Sequence, residues 1–154
     1  MDDALLTRLI DASRALVAIA PASISASPVE VTLPQLRALV VLSGDGPVTM
    51  SDVGRATGLS PSSTTRLVER LERKGLVVRR PSALSRRSID VVLTDAGTEV
   101  VDAVMAARRA RVREVLEAID PERREAVRDA FEEFARAAGT IPETPYIEGA
   151  RSPA

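Results

Sequence analysis

From position 2 to about 20, apolar residues recur at three- and four-residue spacings, at Leu5, Leu6, Leu9, Ile10, Leu16, Val17 and Ala20. That is the stripe of an amphipathic helix. Pro21 and the Ser/Pro segment through Pro28 are expected to end it. A second helix is predicted from Leu33, with Pro34 in its first turn, where the missing N–H costs nothing, and with Leu36, Leu39, Val40 and Leu42 buried. The run 43–47 reads as a turn, and Val48 and Thr49 as a short strand.

Ser51 or its neighbour is expected to cap a third helix carrying Val53 and Ala56, which Gly58 ends by adopting the left-handed conformation. Ser60 and Pro61 read as N-cap and first residue of a fourth helix, whose apolar face is Thr64, Leu67, Val68 and Leu71 and whose stop is Gly75. The period then changes. Positions 76–80 and 88–93 are rich in β-branched residues and flank a polar link, the pattern of a β-hairpin with a long basic tip. Thr94 caps a fifth helix with Asp95 in its first turn, running through Val101, Val104, Met105, Arg108, Val112, Val115, Leu116 and Ile119. Asp120 and Pro121 break it and begin a sixth, expected to bury Ala126, Val127, Ala130, Phe131, Phe134 and Ala138 up to Gly139. Positions 140–154, with three prolines, form a tail that is neither helix nor central strand. The fold class is mainly α (α+β).

The chain has 154 residues, no Cys and no His, and only two Phe and one Tyr. Its core must therefore be aliphatic. Thiol chemistry, disulfides and Cys-type zinc sites are excluded, and the commonest general base and transition-metal ligand are missing. No metal and no cofactor are expected. Asp2 and Asp3 stand where a signal peptide needs positive charge, and no apolar run reaches the roughly 20 residues of a bilayer span, so a cytoplasmic location without membrane contact is expected.

The net charge of -1 conceals an asymmetry: between Ser62 and Ile89 there are eight basic residues and two acidic ones. A basic block in an acidic frame suits a polyanion; it also fits a solvated charged face. All but one of the 21 basic residues are Arg, which suits phosphate recognition and equally reflects a G+C-rich genome. The adjacent carboxylates Glu132 and Glu133, or Asp2 and Asp3, point in different directions on a helix and read as solvated charges. Lys74, placed before Gly75 among arginines, is no better as a nucleophile. The chain reads as a non-enzyme.

Helix, strand, helix, turn, helix, hairpin is the winged helix-turn-helix order. In that plan the helix at about 51–57 crosses the phosphate backbone, and the N-terminal half of the next enters the major groove. Entry calls for small or polar residues at the leading end, supplied by Ser60, Pro61, Ser62, Ser63 and Thr65. Arg66 and Arg70, one turn apart, then face guanine edges or phosphate. Arg73 and Lys74 at the far end read as phosphate contacts or solvent charges. Arg86 and Arg87 at the hairpin tip are placed for the minor groove or a phosphate. Arg79 and Arg80 alternate faces, so at most one points toward DNA; Arg80 is counted with the DNA set. A winged helix that binds protein in place of DNA would want an apolar or acidic recognition face.

The run from Ser51 to Val77, with Ser60-Pro61-Ser62-Ser63-Thr64-Thr65-Arg66-Leu67-Val68-Glu69-Arg70-Leu71 at its centre, resembles the DNA-binding core of the MarR family. Arg86-Arg87-Ser88 and Val91-Val92-Leu93-Thr94-Asp95-Ala96-Gly97 resemble that family's wing and its exit into a long helix. The resemblance implies one domain over 1–139, with 1–33 and 98–139 as dimerisation helices, 34–97 as the winged lobe, and 140–154 as a tail. It implies a homodimer whose recognition helices sit one DNA turn, about 34–36 Å, apart on a near-palindromic double-stranded operator. It also implies a transcription regulator, a repressor released by a small-molecule effector bound between the dimer helices and the lobe, a population shift between two states. The family usually has an acidic residue two before the second wing Arg; here that residue is Ser85. Lacking Cys and His, this chain cannot use the thiol-oxidation or His-zinc sensing of some branches. With few aromatics, an effector pocket would be lined by Ala, Val and Ile with an Arg such as Arg14 or Arg37.

Overall fold

The computed structural model describes residues 2–44, 48–82 and 88–139. Of the run 43–47 read as a turn, Ser43 and Gly44 are instead helical, and 45–47 lie outside the described residues, as do 83–87, with Ser85, Arg86 and Arg87 among them, and 140–154. The elements are α1 (Asp3–Ile24), α2 (Leu33–Gly44), β1 (Val48–Thr49), α3 (Met50–Thr57), α4 (Pro61–Arg73), β2 (Val77–Pro81), β3 (Ile89–Leu93), α5 (Asp95–Glu117) and α6 (Pro121–Gly139). This is the mainly helical, winged-helix architecture that the hydrophobic pattern predicts.

Two compact units divide the chain, one up to Arg111 and the other from Val112 on. In the first, Asp2 caps α1 by accepting from the Ala4 N–H at 3.0 Å. Contrary to the expected stop, α1 continues through Pro21 to Ile24. Proline tolerates helical φ, and the last turn is held by burial of Ser23, whose hydroxyl donates to the Ile19 carbonyl at 2.7 Å, and by packing of Ile24 on the core.

Thr32 and Gln35 cap α2 reciprocally: the Thr32 N–H donates to Gln35 Oε1 at 3.0 Å and the Gln35 N–H to Thr32 Oγ1 at 3.4 Å. The helix buries Gln35, Leu36, Ala38, Leu39 and Leu42. Val40, expected inside, lies off that stripe and is exposed. Leu39, Val53, Val68, Leu71, Leu76, Val91 and Val100 form the wholly enclosed centre of the core.

The antiparallel sheet has the order β1-β3-β2, with Val48 opposite Val91 and Arg79 also opposite Val91. Alternation puts Val77, Arg79, Val91 and Leu93 on the core face, and Val78 and Arg80 on the other. Into α5, Thr94 Oγ1 donates to the Gly75 carbonyl at 2.6 Å and accepts from the Gly97 N–H at 3.1 Å, the expected cap. Gly97 is obligatory for a further reason: a Cβ there would lie 2.1 Å from the Leu76 carbonyl oxygen. α5 enters against bare backbone, then buries Val100, Val101 and Val104.

In the second unit, Asp120 accepts from the Glu122 N–H at 3.0 Å to start α6. Arg124 donates to the Ile119 and Glu117 carbonyls at 3.0 and 3.1 Å, satisfying the end of α5. The expectation that α6 buries its apolar face is corrected within this chain, where no residue of α6 is buried. Phe131 is 49% exposed and Phe134 58%. The stripe is there, but it is not buried among the described residues.

Candidate nucleic-acid interface

The helix-turn-helix begins at a capping box one strand residue earlier than expected. Thr49, not Ser51 or its immediate neighbour, caps α3: its hydroxyl accepts from the Asp52 N–H at 3.2 Å, and Asp52 Oδ2 accepts from the Thr49 N–H at 3.2 Å. The Thr49 hydroxyl, 2.6 Å from the same carboxylate, and the Thr49 backbone together hold the Asp52 carboxyl below its usual pKa, with help from Arg55. Gly58, at φ +70°, closes α3 in the left-handed conformation, and the Leu59 N–H returns to the Gly54 carbonyl at 3.0 Å. Gly54 brings the two helices close, since a Cβ there would meet Thr64 Oγ1 at 2.9 Å.

Ser60 caps α4, accepting from the Ser63 N–H at 3.3 Å, and Pro61 occupies its first turn. Thr64, Leu67, Val68 and Leu71 are buried on one face, as predicted. The opposite face presents Ser62, Arg66, Arg70 and Arg73 exposed, with Ser63 and Thr65 half-buried beside them. Thr65 turns its hydroxyl back onto the Pro61 carbonyl at 3.0 Å. Among the described residues, Arg66, Arg70 and Arg73 make no ion pair, so three guanidiniums stand free along one face of one helix. A cleft of about 250 Å³ opens between α3 and α4, lined in part by Met50, Leu59 and Pro61.

The two hairpin arginines are separated by their partners. Arg79 donates from Nε and Nη2 to Glu72 Oε2 at 2.9 and 2.6 Å, tying β2 to the last turn of α4. The guanidinium holds the Glu72 carboxyl below the usual glutamate range, and Glu72 in turn raises Arg79. Arg80 lies on the other face, exposed and without an ion pair among the described residues. Arg14 pairs with Asp11 on its own helix at 3.1 Å, and Arg37 is an exposed residue of α2. Neither lines the α3–α4 cleft.

Lys74 departs from its expected role. Its ammonium donates to the Glu30 carbonyl and, at 3.3 Å, to Gln35 Oε1, so it ties the end of α4 to the segment ahead of α2. No local spacing rule joins positions 74 and 30 or 72 and 79; the one available signal was a solitary Lys where the chain otherwise uses Arg. Among the described residues no cluster of acidic side chains could hold a metal ion, and no helix is long and apolar enough to cross a membrane.

A model of the MarR family matches residues 30–88. The chain is 32% identical over 108 residues to YfiV of Bacillus subtilis, an uncharacterized HTH-type transcriptional regulator, covering 70% of this chain and 68% of that one. It is 36% identical over 80 residues to the HTH-type transcriptional repressor MdtR of the same organism, covering 52% of each. Among solved structures, RV1404 from Mycobacterium tuberculosis superposes with a TM-score of 0.79 at 36% identity, over 89% of this chain and 93% of that one.

Proposed function

The chain belongs to the MarR family, and from that premise we propose that it is a sequence-specific double-stranded DNA-binding transcription repressor, acting as a cytoplasmic homodimer on its own or neighbouring genes. One observation carries the reading: the face of α4 opposite its buried stripe holds Arg66, Arg70 and Arg73, exposed and unpaired among the described residues, behind a leading end of Ser60, Pro61, Ser62, Ser63 and Thr65. A helix so built meets phosphates with its capped N-terminus and base edges with its guanidiniums. Arg80, Arg86 and Arg87 belong to the same reading as wing contacts. MdtR, a repressor by name, supports the negative sign.

Dimerisation is supported by the apolar side chains left exposed on α1, such as Leu5, Leu9 and Ile10, and by Phe131 and Phe134 on α6. A twofold dimer calls for a near-palindromic operator with half-sites about 34–36 Å apart. The effector reading rests on family membership, with Arg14 or Arg37 as the cation that would meet an anionic group.

The test is binding to DNA upstream of its own and adjacent genes at several salt concentrations. Log K should fall against log salt with a slope near -0.9 per phosphate neutralised, roughly. Arg66→Ala should weaken operator binding by about 1–3 kcal/mol and relax specificity at one base pair of each half-site. Affinity indifferent both to salt and to Arg66 would overturn the reading in favour of a protein-binding winged helix.

A further inference from the structure

The wing and the recognition helix leave the Gly75 turn as two arms, and the register of β2 puts Arg79 on the arm's inner face. There it meets Glu72, which sits beside Arg73 and just past Arg70 on α4. Both partners are about one-third exposed, 34% for Arg79 and 35% for Glu72, so the pair is neither a fully solvated surface contact nor a buried one. Both guanidinium donors converge on one carboxylate oxygen. Glu69, one helical turn earlier, adds attraction to the same guanidinium. An acidic side chain on the helix proposed to face DNA is a liability for binding a polyanion, since it repels phosphate. It needs another reason to be there.

We propose that Glu72 and Arg79 form a positioning brace that sets the angle of the wing against the recognition helix, so that the hairpin's grip on DNA depends on a pair that itself touches no DNA. This rests on the DNA-binding reading above. With the brace closed, Arg79 is held inward and Arg80 is left on the outer face. With it open, the base of the hairpin stays anchored by Leu76, Val77 and Val91 in the core and by the pairing of β3 with β1, while β2 beyond Val78 loses its side-chain tie to α4.

Glu72→Gln separates this role from plain electrostatics, because the two predict opposite signs. Removing a negative charge from the DNA-facing helix would by itself strengthen binding. Without the brace, operator affinity should weaken about tenfold, and the salt slope should shrink by about 1 for each phosphate that the wing ceases to neutralise. The exchange Glu72→Arg with Arg79→Glu keeps the net charge and should restore most of the affinity. Equal or tighter binding by Glu72→Gln, or an exchange variant as weak as the single one, overturns the proposal.

A second measurement needs no DNA. Because the chain has no Cys, spin labels on Ser51→Cys and Ile89→Cys, in chains diluted with an excess of unlabelled ones, report the α3-to-hairpin distance within one chain. Glu72→Gln should broaden that distribution and the exchange should narrow it again; a distribution that stays narrow in Glu72→Gln overturns the brace. If the brace passes this test while the unaltered protein binds no DNA, it is the functional reading that fails.

Discussion

The lobe from α2 to the first turns of α5 and the unit beyond Val112 treat their apolar residues in opposite ways. In the lobe, Leu39, Val53, Leu71 and Leu76 are wholly enclosed, and even the threonine of α4's inner face, Thr64, is sealed against Gly54. In α6 no residue is buried, and two phenylalanines stand about half open. The charged side chains there pair among themselves, Arg128 with Glu125 and Asp129 and Arg136 with Glu133, as on any solvated helix face. The lobe's stability comes from within its own chain. Among the described residues the apolar stripe of α6 is uncovered, whereas most of a helix's stability in a protein comes from packing such a face.

That contrast can be broken by substitution. The largest effect is expected from Gly97→Ala: with the Leu76 carbonyl oxygen in the way, the lobe must shift backbone, at a cost upward of about 4 kcal/mol, and urea denaturation should find little folded protein. Leu71→Ala empties a fully enclosed site and should cost about 2–5 kcal/mol. Phe134→Ala removes a larger side chain, yet should leave unfolding of the lobe within about 0.5 kcal/mol while lowering self-association in sedimentation. If Phe134→Ala destabilises the lobe as Leu71→Ala does, the contrast fails.

Smaller effects sharpen it. Thr49→Ala removes the cap of α3 and should cost about 1 kcal/mol in chemical denaturation. The smallest is a pH effect at the same cap. Asp52 titrates below its unfolded value, so its contribution is complete above that unfolded value and is lost as pH falls through the lowered folded one. Acid unfolding followed by circular dichroism should therefore show the unaltered protein losing stability over that acidic window more steeply than Asp52→Asn, which has no such proton to bind.

What was legible in the sequence were features encoded by neighbours. Ser60 with Pro61, Gly58, Gly75 and the 3.6-residue stripe of α4 are local, and each appears where the residue types demand. The hairpin was legible because the period of apolar residues changes at Leu76. What escaped depends on contacts between distant positions. Pro21 lies inside α1 because Ser23 is buried and Ile24 packs onto a core whose members are far along the chain. The Glu72–Arg79 and Lys74–Glu30 contacts link segments that periodicity treats separately. The amphipathic pattern of α6 marks an apolar face, but periodicity does not say what would cover it, and among the described residues none of that face is buried.

Lys74 offers a consequence of a different kind. It is the chain's one lysine, and its amine is engaged by the Glu30 carbonyl and Gln35. Acylation turns that ammonium into a neutral amide with a single N–H, which cannot donate to both partners, so reaction at Lys74 removes at least one tie between the end of α4 and the segment ahead of α2. Mass measurement of the single peptide containing Lys74, set beside the denaturation midpoint of the acylated protein, then reads what that tie contributes to the lobe without a substitution.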